Sequence, residues 1–238
     1  MSIADKLQTI AENEQKIYEN GKQAEYDRFW EDFQWGGTRT DYAAAFARWR
    51  RIKEIKPKYP VVAVGDAASI FYNFGRDIAT GVKVDNVDFS QTTNLTAAFY
   101  GCLTIEEIGE IIPNDLEILG TCFAFCNKLH TIKKLKLSER TTYSTLGFRD
   151  CNELVNMEVL GTIGQPNLTL QYSTKLSKSS ITSVVNALST SKTGLTVTLS
   201  KTAVNKAFET STGAANGSTS QEWLNLIATK SNWTISLA

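Results

Sequence analysis

The sequence has little histidine, methionine or proline, and it has no excess of charge of either sign. Its 238 residues include one histidine, two methionines and four prolines, and 25 basic side chains balance 25 acidic ones. Because the net charge is zero, no overall field attracts nucleic acid or an anionic membrane. No stretch approaches the ~20 apolar residues of a membrane span. We therefore expect neither nucleic-acid binding nor membrane insertion.

The N-terminus lacks the apolar run behind a basic start that marks a signal peptide. The segment 1–7, Met-Ser-Ile-Ala-Asp-Lys-Leu, is instead amphipathic. We expect a protein that is made in the cytoplasm and either stays there or leaves by a route that needs no signal.

The residues of a metal or nucleotide site are also missing. Cys122 and Cys126 have a C-x3-C spacing, but no second pair follows and His130 is the single histidine. A four-ligand zinc site needs more donors than these. Neither phosphate-binding glycine motif, G-x-x-x-x-G-K-[ST] or G-x-G-x-x-G, occurs. The sequence therefore predicts no metal, no cofactor and no catalytic histidine.

Carboxylates are the one remaining source of catalysis. A glycoside hydrolase needs two carboxyl groups on facing walls of a cleft, about 5 to 9.5 Å apart. The acidic residues that come close together in the sequence fall in variable positions, where solvated charge is the expected content: Glu106, Glu107, Glu110 and Asp115, with Asp85 and Asp88 as further surface charges. We predict that none of them is catalytic.

What the sequence does contain is a repeat. Segments that begin at Phe99, Phe123 and Phe148 each read F-x-x-C-x-x-[IL]-x-x-[IM]-x-x-[IL], with steps of 24 and 25 residues. A fixed period of this size is typical of stacked units that bury their apolar faces against neighbours. We expect a solenoid whose structural ladder is Phe99, Cys102, Phe123, Cys126, Phe148 and Cys151, preceded by a degenerate copy at Phe71-Tyr-Asn-Phe74.

The N-terminal part favours helix. Apolar residues at heptad-like spacing predict a seam within residues 1–34 that oligomerises or docks: Ile3, Leu7, Ile10, Ile17 and Ala24. Tyr42, Phe46 and Trp49 then predict a second short helix.

Charge is sorted in the same part of the chain. Residues 1–34 carry net charge −4 and residues 39–58 carry +5. This sorting is explained by a hairpin whose halves attract, the interpretation we favour, or by complementary assembly patches. Basic and aromatic residues alternate over 48–53. That pattern favours a protein contact over single-stranded nucleic acid, given the neutral chain.

The C-terminal part, residues 165–238, is rich in Ser and Thr. Ser177 predicts the cap of a helix, and Leu195–Leu199 alternates like a strand that echoes the segment 168–170. A helix at Trp223 and a strand from Trp233 to Leu237 then predict a cap. The expected fold class is α+β, with a helical attachment segment (1–59), a leucine-rich-repeat solenoid (60–164), and divergent repeats with a helix and strand cap (165–238).

Two resemblances refine this expectation. The motif F-x-x-C-x-x-L-x-x-I resembles BspA-like leucine-rich repeats. Both termini are similar to leucine-rich-repeat proteins encoded among tail genes of phages and prophages of Firmicutes, over the segments 1–13, 21–30, 42–46, 56–59 and 224–234. The resemblance implies a virion structural protein, assembled in the bacterial host cytoplasm, whose N-terminal helices attach it and whose repeats project outward. It carries no catalytic residues over to this chain.

The expected function is therefore a non-enzymatic phage tail or tail-fibre-like component. Its partners would be other virion proteins, a host cell-surface protein or glycan, and further copies of itself, with a trimer favoured. Tyr100, Tyr143 and Tyr172 are candidate surface contacts. The alternatives are a stand-alone bacterial leucine-rich-repeat scaffold or adhesion protein and, less favoured, a tail-associated carbohydrate hydrolase.

Overall fold

A computed structural model describes residues 43–52, 61–85, 87–209 and 216–238, and all of these except Val61 belong to one compact unit. The predicted N-terminal seam, Ile3, Leu7, Ile10, Ile17 and Ala24, lies outside the described residues. The strands are β1 (Val61–Asp66), β2 (Val82–Val84), β3 (Val87–Asn94), β4 (Ile105–Ile111), β5 (Ile118–Gly120), β6 (Thr131–Leu137), β7 (Thr142–Tyr143), β8 (Asn156–Gly161), β9 (Thr169–Leu170), β10 (Leu195–Leu199) and β11 (Trp233–Leu237). The helices are α1 (Lys178–Ala187), α2 (Lys201–Ala207) and α3 (Gln221–Ala228), with a 3₁₀ turn at Gly217–Thr219.

The strands form three parallel sheets. Their orders are β1-β3-β5-β7, β2-β4-β6-β8 and β9-β10-β11. Residues one repeat apart lie side by side, so that Ile108 of β4 pairs with Ile132 of β6, which pairs with Met157 of β8. The chain therefore winds as a β-solenoid of about six turns, and the predicted repeat solenoid is confirmed.

The apolar positions of the repeat point into the solenoid. In β4, Ile105, Ile108 and Ile111 are fully buried, whereas the Glu residues between them are partly or fully exposed. Burying one such side chain contributes about 1.5–3 kcal/mol. Each turn buries these side chains against the turns on either side, which is why the period persists along the chain.

Tight corners join strands of the sheet β1-β3-β5-β7 to strands of the sheet β2-β4-β6-β8. Within them the backbone adopts positive φ at residues four apart, such as Ala97 (53°) and Gly101 (72°). Consecutive corners are joined by backbone hydrogen bonds, for example from Asn73 N to Tyr100 O at 2.9 Å. A Cβ on Gly101 would lie 2.3 Å from Asn73 Oδ1, so a larger residue would displace the Asn73 side chain, and the positive φ also favours glycine.

The helix predicted through Phe46 and Trp49 is wrong. Residues 43–48 form turns, and the φ angles of Ala44 (58°) and Arg48 (64°) are incompatible with a helix. Phe46 N donates to Ile70 O at 2.8 Å, as later corners do to their neighbours. This segment is an additional corner of the solenoid. Its aromatic residues Phe46 and Trp49 are three apart, as Phe71 and Phe74 are in the next corner. A helix also places residues three apart on one face, so the spacing alone resembled a helix.

The C-terminal elements follow the prediction closely. Ser177 caps α1 by accepting a hydrogen bond from Ser180 N, and β10 pairs with β9 as the sequence echo predicted. The predicted helix at Trp223 is α3. The predicted final strand is β11, which pairs with β10 over its whole length.

The segment before β11 covers the C-terminal end of α1. The ammonium group of Lys230, which is 9% exposed, donates to Leu188 O at 2.5 Å. The indole of Trp233 donates to Ser189 O at 2.9 Å, and the Asn232 amide donates to the same oxygen at 2.8 Å. Carbonyls at a helix C-terminus lack partners within the helix, and these donors satisfy them.

Candidate functional site

A column of phenylalanine rings runs through the corners. The rings of Phe46, Phe71, Phe99, Phe123 and Phe148 lie with successive centroids 5.2, 5.3, 5.7 and 5.0 Å apart. All five side chains are buried. The column extends the predicted ladder by two turns toward the N-terminus. Its regular step holds each corner in register with the next.

The repeat cysteines bond across the turns. The thiol of Cys102 donates to Phe71 O at 3.0 Å, that of Cys126 to Phe99 O at 3.1 Å, and that of Cys151 to Phe123 O at 3.0 Å. Burial raises the pKa of Cys151 to about 12 and raises that of Cys126 as well. Because a protonated thiol is a donor and a weak nucleophile, these groups stabilise the corner and do not react.

The three candidate contact tyrosines are in different environments. Tyr100 is half-buried and stacks on Tyr72, with centroids 5.3 Å apart and rings 2° from parallel. Tyr143 has its hydroxyl buried without a hydrogen-bond partner among the described residues, and this burial raises its pKa. Tyr172 is half-buried in the turn after β9. The structure thus brings Tyr100 to an aromatic surface and leaves the other two tyrosines apart from it.

The clustered carboxylates each have an internal partner. Glu107 lies 2.9 Å from Lys133, Glu110 lies 2.7 Å from Lys134, and Asp115 pairs with Arg140. The hydrogen bond from Lys133 lowers the pKa of Glu107. The fourth carboxylate, Glu106, accepts a hydrogen bond from Gly81 N at 2.7 Å.

This pairing follows from the winding of the chain. Acidic residues of β4 meet basic residues of β6 because residues one repeat apart are neighbours in a parallel sheet. The predicted surface histidine, His130, is 51% exposed and lies 3.8 Å from Glu153. Of the two further surface acids, Asp88 accepts a hydrogen bond from Ser90 N at 2.7 Å, and Asp85 lies in the turn between β2 and β3.

A groove of about 1050 Å³ lies between the outer face of β6 and β8 and helix α1. Its size matches that of sites for small ligands. Its polar lining includes Asn156, Glu158, Thr182 and Asn186, with Lys133 and Lys178 at the sides. Asn156, Thr182 and Asn186 have no side-chain hydrogen bond within the described part of the chain. These groups are therefore available to an external ligand.

The groove forms because α1 lies beside β8, the last strand of the sheet β2-β4-β6-β8. Ser180 Oγ donates to Val155 O at 3.1 Å and accepts from Met157 N at 2.9 Å. Ser183 Oγ donates to Val159 O at 3.1 Å and accepts from Val159 N at 2.6 Å. A helix is wider than a strand, so α1 projects beyond the sheet surface and forms one side of the groove.

The sequence predictions missed this site. Its signal was present as serines three residues apart on the helix after the last repeat, Ser180 and Ser183. This spacing predicts that both hydroxyls lie on one face of the helix. It does not predict that this face packs against the edge of a sheet.

Comparison with models of protein families found no match, and neither did comparison with curated proteins or with solved structures. None of the helices in the described ranges has the length and apolar character needed to cross a membrane. Among the same residues, no group of three or more histidine, cysteine, aspartate or glutamate side chains is arranged to hold a metal ion.

Proposed function

We propose that this protein is a non-enzymatic virion component of the phage tail or tail-fibre type, in which a rigid leucine-rich-repeat solenoid presents a groove to a glycan of the host surface. The groove between β6, β8 and α1 is the observation that carries the proposal. The resemblance of both termini to leucine-rich-repeat proteins encoded among phage tail genes favours the virion.

The lining of the groove favours a glycan. The amides of Asn156 and Asn186 both donate and accept hydrogen bonds, as does the hydroxyl of Thr182, and sugar hydroxyls have the same dual character. The lysines beside these groups are occupied, because Lys178 pairs with Glu222 at 2.5 Å and Lys133 with Glu107. Asn156, Asn186 and Thr182 therefore supply neutral hydrogen-bonding groups beside a mainly apolar lining.

Rigidity supports the same function. A preformed groove loses little conformational entropy when a ligand binds, and several copies in one particle multiply weak single contacts. The phenylalanine column and the thiol hydrogen bonds hold the turns that carry the groove in fixed register.

The binding test uses the fluorescently labelled full-length protein and cells of the bacterial host. Replacing Asn156 and Asn186 by alanine is expected to lower the amount bound about tenfold or more, since the hydrogen bonds of two side-chain amides to the glycan are lost. The control is Asn127→Ala, which changes an exposed asparagine outside the groove. Equal binding by the double variant and the control would overturn the groove as the receptor site.

The virion assignment has its own test. Purified particles, washed at high salt, are digested and searched for peptides of this chain by mass spectrometry. The proposal expects the peptides at a constant ratio to the major tail protein. Their absence from particles would favour the stand-alone bacterial scaffold or adhesion protein.

A further inference from the structure

The solenoid corners present a second surface, which shares no residue with the groove. We call it the corner strip and define it by Arg48, Tyr72, Tyr100, Phe125 and Arg149. Tyr72, Tyr100 and Phe125 are half-buried, and the arginines at the two ends are exposed. Backbone hydrogen bonds hold the strip together, from Arg48 N to Tyr72 O at 2.6 Å and from Phe125 N to Arg149 O at 2.7 Å.

The aromatic rings of the strip pack on each other. Tyr72 and Tyr100 are stacked in parallel, and Tyr100 meets Phe125 edge to face at 5.1 Å. The guanidinium of Arg149 lies 5.2 Å from the centre of the Phe125 ring. Tyr72 and Tyr100 thus each cover one face of the other ring.

Basic charge is concentrated on these corners. The six-residue segments that begin at the five phenylalanines of the column contain six basic and two acidic residues, although the whole chain is neutral. The basic residues are Arg48, Arg50, Arg51, Arg76, Lys128 and Arg149. Arg50 pairs with Asp77 at 2.7 Å, whereas Arg48 and Arg51 have no ion-pair partner in the described ranges.

We propose that the corner strip is a docking surface for an acidic segment of a neighbouring protein. Both basic residues of the strip are arginine, whose guanidinium matches a carboxylate with two parallel hydrogen bonds, and Arg149 already lies 3.8 Å from the carboxylate of Asp150. Tyrosine, phenylalanine and arginine are also the residue types enriched at the centre of protein interfaces, where lysine is depleted. Charge complementarity then selects a partner face rich in Asp and Glu.

The ring geometry separates this partner from nucleic acid. Single-stranded nucleic acid binds by stacking its bases on open aromatic faces. In the strip, Tyr72 and Tyr100 each cover one face of the other ring, and Arg149 lies over Phe125. These contacts occupy part of the aromatic surface that base stacking would use, which favours an acidic protein segment.

The test measures binding of a poly-L-glutamate peptide of about 20 residues to the full-length protein by fluorescence anisotropy at low salt. The strip variant carries Arg48→Glu and Arg149→Glu, which reverse the charge at the two ends of the strip. Its matched control carries Lys192→Glu and Lys201→Glu, which change the net charge by the same amount at exposed positions far along the chain. We expect the strip variant to raise Kd about tenfold or more and the control to raise it about twofold or less.

A milder variant, Arg48→Gln with Arg149→Gln, keeps the test valid if charge reversal prevents folding, and it is expected to raise Kd about fivefold. Equal weakening by the strip variant and the control would show diffuse attraction and overturn the proposal. Tighter binding of an oligothymidine of the same length than of the peptide would overturn it in favour of nucleic acid. Neither result depends on whether the groove binds a glycan.

Discussion

At the scale of single residues, the repeat cysteines are hydrogen-bond donors of the core. Cys102, Cys126 and Cys151 each donate to the carbonyl of a phenylalanine in the preceding turn, and all four cysteines of the chain are free and buried. Burial raises the pKa of Cys122, Cys126 and Cys151, since the thiolate loses its solvation. A small apolar side chain with one weak donor suits this position better than serine or a larger residue.

The first prediction concerns thiol reactivity. We expect none of the four cysteines to react with iodoacetamide in the native protein at pH ~8, because reaction requires an accessible thiolate. All four should react after unfolding in denaturant. Ser179→Cys places a thiol at an exposed position of α1 as a positive control. Mass spectrometry counts the adducts, and labelling of native Cys126 at the rate of the control thiol would contradict the assignment.

Ser173 shows what happens when the ladder residue changes. Its N–H donates to Leu170 O at 3.0 Å, as that of Cys151 donates to Phe148 O at 3.2 Å, so Ser173 occupies the cysteine position of the next turn. Its hydroxyl is fully buried and has no hydrogen-bond partner among the described residues. A buried hydroxyl without a partner costs about 1–3 kcal/mol.

The second prediction follows from this cost. Ser173→Ala should raise the free energy of unfolding by about 1 kcal/mol, because it removes a desolvated hydroxyl and little volume. Cys151→Ala is the matched comparison. It should lower the same free energy by about 1–2 kcal/mol through a lost thiol bond and a small cavity. Urea unfolding measures both, and a destabilised Ser173→Ala protein would mean that the hydroxyl has a partner.

At the scale of elements, α1 closes an open sheet edge. The edge of β8 would otherwise expose backbone groups that pair with another chain. Ser183 uses its hydroxyl to donate to a β8 carbonyl and to accept from a β8 amide, and Ser180 accepts from a β8 amide and donates to the carbonyl of Val155, the residue before β8. The two serines thus replace the backbone hydrogen bonds that a further strand would make at this edge. The space beside the helix forms the groove.

The third prediction tests this closure. Ser180→Ala with Ser183→Ala should lower the free energy of unfolding by about 2–4 kcal/mol, since four hydrogen bonds to β8 and to Val155 are lost. Ser179→Ala on the same helix should change it by less than about 0.5 kcal/mol, because Ser179 is exposed. The double variant should also self-associate through the opened edge, which light scattering detects. A stable and monodisperse double variant would mean that helix packing alone protects β8.

At the scale of the whole molecule, function depends on how many copies assemble and on which face each partner uses. The described turns stack in one direction and present the groove on a sheet face and the corner strip on the corners. Assembly through the predicted N-terminal seam would repeat both surfaces in every copy. Avidity then rises without new contacts at either surface.

The fourth prediction addresses that assembly. Replacing Ile10 and Ile17 by aspartate should convert a trimer or other oligomer to monomers, because buried charge at seam positions opposes helix association. The melting temperature of the solenoid should stay the same. Sedimentation velocity measures the mass, with Glu12→Gln as a control between the two seam positions. An unchanged mass of the double variant would exclude the seam as the assembly element.

The sequence determined the period and the repeated Phe and Cys positions, because a repeat whose apolar positions recur every 24 or 25 residues has to stack in order to bury them. It also predicted α1 and its Ser177 cap, which are set by local hydrogen bonds. It did not distinguish the corner at Phe46 from a helix, because both place aromatic residues three apart. That choice needed the neighbouring corner at Ile70.

The positions of the groove and of the corner strip were determined only by the tertiary structure. The groove combines β6, β8 and α1, and the corner strip combines residues from Arg48 to Arg149, so neither is contiguous in sequence. Tyr100 became part of a surface because Tyr72 lies one turn before it, whereas the hydroxyl of Tyr143 was buried by its own surroundings. A period states which residues are neighbours along the stack, but the exposure of each side chain depends on what the adjacent turns place beside it.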